Sequence, residues 1–279
     1  MSGTLYIVAT PIGNLEDITL RALNVLKNVD VIAAEDTRHT LGLLNHFEIK
    51  KKLISYHEYS PIERDEMVVA LLEEGKDVAL VSDAGMPIVS DPGAPLLKAV
   101  AEKNLPMTVI PGACAAITAL VLSAFPADRF VFEGFIPRDK SRKDVLERVI
   151  SHKETTILYE SPHQLKKTLE ELARRIPNRR IAICKELTKV HENVERTTVS
   201  DAYEKRKDEE IRGEYVLILE GLTENEKPAG ATDEEIVLRL KEKTAAGMSG
   251  KKAVEAVSVE MDIKKNRVYK LLLENEERE

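Results

Sequence analysis

Short apolar runs rich in β-branched residues alternate with stretches of helical periodicity, and this alternation restricts the chain more than any other feature. Thr4 to Ala9, Asp30 to Ala34, Asp77 to Ser82 and Met107 to Ile110 read as strands. Thr19 to Lys27, with Leu20, Leu23 and Leu26 at helical spacing, reads as a helix, as do Arg64 to Glu74 (stopped by Gly75), Ala94 to Glu102 and Ala113 to Ser123. Strands that alternate with helices imply a mainly parallel sheet covered by helices.

The break Phe125-Pro126-Ala127-Asp128 marks an expected domain boundary. Beyond it come strands at Phe130 to Phe135, Thr155 to Tyr159, Arg180 to Glu186, Arg196 to Val199 and Tyr215 to Leu219. Helices are expected at Ser141 to Ile150, Gln164 to Ile176 and Asp201 to Lys207. The expectation is an α/β chain with a first α/β domain over 1–125 and a second over 126–222. A polar linker over 223–231 with Pro228 and Gly230 follows, then a helical module over 232–279. In that last segment a helix from Gly250 to Met261, a break at Asp262-Ile263-Lys264 and a final helix with Val268, Leu271 and Leu272 have helix-turn-helix spacing.

No apolar run approaches the roughly 18 residues that span a bilayer, so no membrane segment is expected. Met1-Ser2-Gly3-Thr4 leads directly into a strand without an export signal, which makes the cytoplasm the expected compartment. The two cysteines, Cys114 and Cys184, stand far apart, which argues for reduced thiols and against a disulfide or a metal site.

A net charge of −7 argues against nucleic acid when averaged over the chain, because phosphate neutralisation requires clustered cations. The average hides a pattern: residues 1–135 carry 11 basic and 18 acidic side chains, whereas 136–180 carry 12 and 7. Within this positive segment Lys140, Arg142 and Lys143 are candidates for meeting RNA phosphate, although such an excess also suits a merely solvated face.

In an open parallel sheet ligands bind where the strands' carboxyl ends meet loops. The first such loop, Ala9-Thr10-Pro11-Ile12-Gly13-Asn14, pairs a rigid proline with a glycine that lets backbone approach a ligand; a plain turn fits it equally. The third runs from Ser82 to Gly93 and holds two prolines, two further aspartates and Gly85, more loop chemistry than a connector requires. The fourth, Ile110-Pro111-Gly112-Ala113-Cys114-Ala115-Ala116, puts small residues at a helix start. Among those alanines and with no histidine nearby, Cys114 reads as a packed thiol rather than a nucleophile. The second, Ala34-Glu35-Asp36-Thr37-Arg38, puts Glu35 22 residues after Gly13, the spacing of a dinucleotide fold's ribose-binding acid. A dehydrogenase would also need G-x-G-x-x-G in the first turn, where only Gly13 stands.

Together with Tyr159-Glu160-Ser161-Pro162-His163 and Lys185-Glu186-Leu187-Thr188-Lys189, these loops resemble the ribosomal RNA small-subunit methyltransferase I family of the tetrapyrrole methylase superfamily, over residues 3–221. The resemblance implies a bilobal homodimer that binds S-adenosylmethionine between its lobes and methylates the 2′-hydroxyl of a cytidine in small-subunit (16S) RNA. By similarity, Pro11, Asp83, Met86, Ile88, Cys114 and Ala115 line the cofactor pocket from the first lobe, and Tyr159, Leu187 and Glu214 approach from the second. Two loops depart from the family pattern: Met86 stands where threonine is usual, and Ala113-Cys114 where Pro-Ser is usual.

Ribose methylation requires a proton acceptor, since a neutral hydroxyl is a poor nucleophile. Asp36, His57, Lys185 and Glu186 are the candidates, and the residues alone do not choose among them. Lys185 would need burial to lower its pKa, and His57 sits among polar neighbours that also suit a surface histidine. Arg38 suits phosphate better than proton transfer. The helical tail has six basic and three acidic residues between Ser249 and Lys270, which fits an RNA-holding module or a plain helical bundle. The competing readings are a tetrapyrrole methyltransferase and a non-enzymatic nucleic-acid-binding protein.

Overall fold

In the computed structural model, which describes residues 1–57, 62–222, 233–245, 248–261 and 265–276, the alternating apolar runs become the central strands of two five-stranded sheets. The expected linker at 223–231 and the helix break at 262–264 lie outside the described residues. Met1–Gly221 form one compact unit and Leu222–Glu279 another.

The first sheet contains β1 (Leu5–Val8), β2 (Val31–Ala34), β3 (Lys52–Ser55), β4 (Val78–Val81) and β5 (Met107–Ile110), all parallel in the order β3-β2-β4-β1-β5. Side chains two apart share a face. Leu5, Ile7, Val78 and Leu80 therefore pack with Val68, Leu72, Leu96 and Val100 of α3 (Ile62–Glu73) and α4 (Ala94–Glu102). Val8, Ile32, Ala34, Ala79 and Val81 face the opposite way, onto Ala22 and Leu26 of α1 (Leu20–Asn28) and Leu44 of α2 (Thr37–His46). The Thr19 hydroxyl caps α1 by accepting from Ala22 N at 3.0 Å. The helix packs on the sheet through Ala22 and Leu26, which leaves Leu20, counted in its apolar stripe from the sequence, 81% exposed.

The second sheet contains β6 (Phe130–Phe135), β7 (Thr155–Glu160), β8 (Arg180–Lys185), β9 (Asn193–Thr198) and β10 (Tyr215–Leu219) in the order β6-β7-β10-β8-β9. Only β6 and β7 run parallel; the other neighbours are antiparallel. One face packs on α6 (Arg142–Ser151), α7 (Pro162–Ala173) and α8 (Val199–Arg206). The other face carries Ile157, Ala182, Cys184, Val216 and Ile218 and receives Ala116, Ala119 and Leu120 of α5 (Ala115–Ser123). Helix α5, assigned from the sequence to the first domain, thus belongs by packing to the second sheet. The chain passes from one sheet to the other at 111–114, ahead of the Phe125-Pro126 break.

The second unit is three helices, α9 (Asp233–Ala245), α10 (Gly250–Glu260) and α11 (Lys265–Glu276), around Ile236, Leu240, Val254, Val257 and Val268. Among the described residues no helix is long and apolar enough to cross a membrane.

Candidate active site

Strand order creates the site. Chain leaving β1 goes towards β2, while chain leaving neighbouring β4 goes to β5 on the other side, so a crevice opens where β1 and β4 end. The loops from these strands are joined there: Thr10 N donates to Gly85 O at 2.9 Å and Gly85 N to Thr10 O at 3.1 Å. Gly85 has φ +82°, and a Cβ on it would stand 3.1 Å from Ile12 Cγ2.

A cavity of about 350 Å³ lies between these loops and the second sheet. The first loops supply Ile12, Met86, Val89, Ser90 and Asp91, and the start of α5 supplies Cys114 and Ala115. Across from them stand Phe135, Tyr159, Glu160, Leu187 and Glu214. The loops that supply both walls contain non-glycine residues in the left-handed region: Ile88 (φ +76°) and Ser90 (+73°) on one side, Glu186 (+52°) and Thr188 (+64°) on the other. For β-branched Ile88 and Thr188 this conformation is costly and persists only where packing enforces it. Ile88 is held by the first core and by Gly93, where a Cβ would come within 3.0 Å of it.

Tyr159 anchors the second wall. Its ring meets Phe132 and Phe135 edge-on at 5.1 and 5.5 Å, and its oxygen accepts from Ala116 N at 3.2 Å. Burial pushes its phenol up to about 12 and the nearby Cys184 thiol up to about 11. Burial also pushes Asp91 up to about 6, aided by the charge of Glu35, while the Ser82 hydroxyl opposes the shift. Glu160 is raised by burial too. Among the described residues no cluster of three or more His, Cys, Asp and Glu is placed to hold a metal.

The family model for Tetrapyrrole (Corrin/Porphyrin) Methylases matches residues 4–203, the stretch that builds both cavity walls up to β10. A ribosomal RNA small subunit methyltransferase I of Halalkalibacterium halodurans is 44% identical over 272 residues, 96% of this chain and 94% of its own. The chain belongs to the ribosomal RNA small subunit methyltransferase I family. A Thermotoga maritima relative of the same name is 43% identical over 219 residues, 78% of this chain and 99% of its own. Among solved structures, uroporphyrin-III C-methyltransferase from Thermus thermophilus complexed with S-adenyl homocysteine superposes with TM-score 0.54 at 18% identity, covering 78% of this chain and 97% of its own. At that identity the likeness concerns the fold alone.

In this family member the sequence-derived pocket residues separate into three groups. Met86, Cys114, Ala115, Tyr159, Leu187 and Glu214 line the cavity. Pro11 and Asp83 instead line a separate hollow beside Arg38 and His39. Ile88 lines neither, because its side chain goes into the first core.

None of the four proton-acceptor candidates lines the cavity. Asp36 caps α2, accepts from Arg38 N at 2.8 Å and pairs with the Arg38 guanidinium at 2.9 Å, a hydrogen bond that holds its carboxyl down at about 2. Glu186 accepts from Glu214 N at 2.9 Å and from Lys189 Nζ at 3.1 Å; the first of these contacts chiefly holds its pKa low. Lys185 ends β8 with its ammonium 5.8 Å from the Tyr215 ring centre, and His57 is exposed beyond β3.

Lys140 and Lys143 are exposed beside a shallow hollow with Arg174 and Arg175. Arg142 lines that hollow but is buried, pairing with Glu171 at 2.7 Å and donating to the Thr168 hydroxyl at 2.9 Å. A guanidinium so committed is a structural group rather than a phosphate ligand, which corrects the sequence expectation for Arg142. Asp91, Ser90, Glu160 and Phe135 are among the cavity residues that sequence reasoning did not select. Asp91 and Glu160 stand inside motifs it did single out, but nothing in the order of residues shows which carboxylate is left without a cation.

Proposed function

We propose that the protein transfers a methyl group from S-adenosylmethionine to the 2′-hydroxyl of a cytidine ribose in small-subunit (16S) ribosomal RNA. The observation that carries this reading is 44% identity across nearly the whole length to a protein named ribosomal RNA small subunit methyltransferase I. The cavity supports it: its volume falls within the roughly 300–1,000 Å³ of ligand pockets, with apolar walls and a few converging polar groups. The fold neighbour complexed with S-adenyl homocysteine fits the same cofactor class.

The residues present suit such a cofactor. Gly85 and Gly112 keep backbone close to the crevice, where a Cβ on Gly112 would press to 2.9 Å from Ala9 Cβ. Met86, Ile12 and Leu187 offer apolar contact, and Asp91, Glu160 and Glu214 offer hydrogen-bond acceptors for amine and hydroxyl groups. When bound, the cofactor supplies an electrophilic methyl carbon on a positively charged sulfur. Because that charge is dispersed in the transition state and lost only in the product, a strongly anionic cradle would stabilise the ground state more, so positioning and proton removal are the protein's main contributions.

Lys140 and Lys143 together with Arg38 are assigned to RNA phosphate. The protein is assigned to the cytoplasm and to a homodimer. Exposed apolar residues support the dimer: Met107 and Val109 on edge strand β5, in register with buried Leu5 and Ile7, and Ile117 and Val121 one turn apart on α5. A tetrapyrrole acceptor has less support, since the relatives at about this identity are named for ribosomal RNA.

The test is incubation with methyl-labelled cofactor and small subunits from cells lacking the protein. Label in an alkali-resistant cytidine-containing dinucleotide of the small-subunit RNA is expected. Label absent from RNA, or lodged on a base, would overturn the assignment.

A further inference from the structure

We propose that Asp91 accepts the proton of the acceptor hydroxyl, the role that sequence reasoning divided among Asp36, His57, Lys185 and Glu186. This inference rests on the methyl-transfer reading above.

Asp91 lines the cavity, and none of the four earlier candidates does. A proton acceptor must come within hydrogen-bond reach of the reacting oxygen, directly or through one water. The cavity carboxylates are Asp91, Glu160 and Glu214.

The three carboxylates differ in what already holds them. Glu214 is 76% exposed and paired with Lys189 at 2.8 Å. Glu160 is 4% exposed and holds a hydrogen bond on each oxygen, from Ser161 N at 2.8 Å and Thr168 Oγ1 at 2.5 Å. No cationic side chain pairs with Asp91 among the described residues, and the Ser82 hydroxyl is its side-chain partner. The groups around it are anionic or neutral: Glu35 beyond β2, Asp83 beyond β4, and Tyr159 from β7. Such surroundings disfavour its ionised form and make it a stronger base than a carboxylate clamped by arginine.

The loop that delivers Asp91 is strained, with Ile88 and Ser90 in the left-handed region and Gly93 at φ +133°. Ile88, inserted into the first core, pins the chain so that residues 89–91 face the cavity. Strain enforced by packing at a ligand-facing loop is where pre-organisation is expected.

The step balances within the named groups. The acceptor oxygen releases its proton to an Asp91 carboxylate oxygen and forms its bond to the methyl carbon. The carbon–sulfur bond breaks with its electron pair left on sulfur, giving a neutral thioether, and Asp91 later returns its proton to water.

The experiment compares wild type, Asp91→Asn and Asp91→Glu. In the wild type, kcat should rise with pH through an apparent pKa near 6 and then level off. Asp91→Asn should lower kcat about 10²- to 10⁴-fold, with S-adenosylhomocysteine affinity by calorimetry within about threefold and a melting temperature at neutral pH no lower than that of the wild type. Asp91→Glu should recover part of the rate. In ligand-free protein labelled on aspartate carboxyl carbons, one resonance should titrate near 6 and vanish in Asp91→Asn. Full turnover by Asp91→Asn beside an active wild type overturns the proton role alone. Parallel loss of affinity and rate overturns it in favour of ligand holding. No RNA methylation by the wild type overturns this role and the functional reading together.

Discussion

The Thr168 hydroxyl donates to the buried Glu160 carboxylate at 2.5 Å, and Arg142 donates to the same hydroxyl at 2.9 Å. A cavity wall is thereby tied through α7 to Glu171, which accepts from Arg142 Nε at 2.8 Å. Removing one member of a buried, hydrogen-bonded ion pair leaves an uncompensated charge and costs about 3–5 kcal/mol. Arg142→Ala should therefore lower unfolding stability by about 3 kcal/mol in urea titrations, whereas Lys140→Ala and Lys143→Ala should change it by less than about 0.5 kcal/mol. The lysine variants should instead weaken RNA binding and flatten its salt dependence. A stable Arg142→Ala with a selective RNA defect would restore the phosphate role to that residue.

Gly13 brings the first-lobe loop close against the 186–189 loop. A Cβ there would stand 2.9 Å from Leu187 O and 2.8 Å from Thr188 Oγ1. The Lys189 side chain, 2.6 Å away, can swing aside, but the Leu187 carbonyl belongs to a backbone already held by the left-handed Glu186 and Thr188. Gly13→Ala should cost about 1–3 kcal/mol. Leu187 is a cavity residue, so affinity for S-adenosylhomocysteine should fall as well. Calorimetry showing unaltered affinity in a folded Gly13→Ala would mean the two loops are not mechanically linked.

Asp91 also makes stability depend on pH, with a definite sign. Its folded pKa of about 6 lies above the unfolded value of about 3.9, so the folded state binds more protons between those limits. Its contribution consequently favours folding at low pH and is lost as pH rises from about 4 to about 6. Replacing it by asparagine removes that loss. The stability of Asp91→Asn relative to wild type should increase over this window and stay level above it. Urea midpoints at pH 4, 5, 6 and 7 measure the difference; a constant offset would show that Asp91 titrates as an ordinary surface carboxylate.

Strand positions and the loops that follow them were legible because four-residue apolar runs such as Val78–Val81, buried throughout, have few other uses. The expected strand and helix at Met107–Ile110 and Ala94–Glu102 match the structure residue for residue. Helix α2 and strand β3 escaped notice for a physical reason. α2 includes Gly42 and three basic or imidazole side chains, and β3 begins with exposed Lys52 after Lys50 and Lys51, so neither carries a strong apolar period. The allotment of α5 to the second sheet was equally hidden, since Ala116, Ala119 and Leu120 would serve against either one. At the site, sequence showed which loops converge but not the partner of each charge. Asp36 and Asp91 look alike in the chain, yet one meets Arg38 and the other meets Ser82 and Glu35.

The helical tail gives a final prediction. The Thermotoga relative, matched over 99% of its own length, accounts for 78% of this chain, and Met1–Gly221 make up 221 of 279 residues, about the same share. A relative of that size has little room for a counterpart of α9, α10 and α11. The tail is therefore expected to be an accessory to binding. Its three helices enclose their own core, and Lys251 and Lys252 on α10 are exposed. Every phosphate that the protein ceases to neutralise reduces the slope of log affinity against log salt by about 0.9 for duplex and about 0.7 for single-stranded nucleic acid. Deleting residues 228–279 should raise the KM for small-subunit RNA and lessen its salt dependence, while kcat and affinity for S-adenosylhomocysteine stay within about twofold. Lys251→Ala with Lys252→Ala should reproduce part of that effect in the full chain. An unchanged KM in the deletion would reduce α9, α10 and α11 to a plain helical bundle, and a collapse of kcat would place them in the catalytic step.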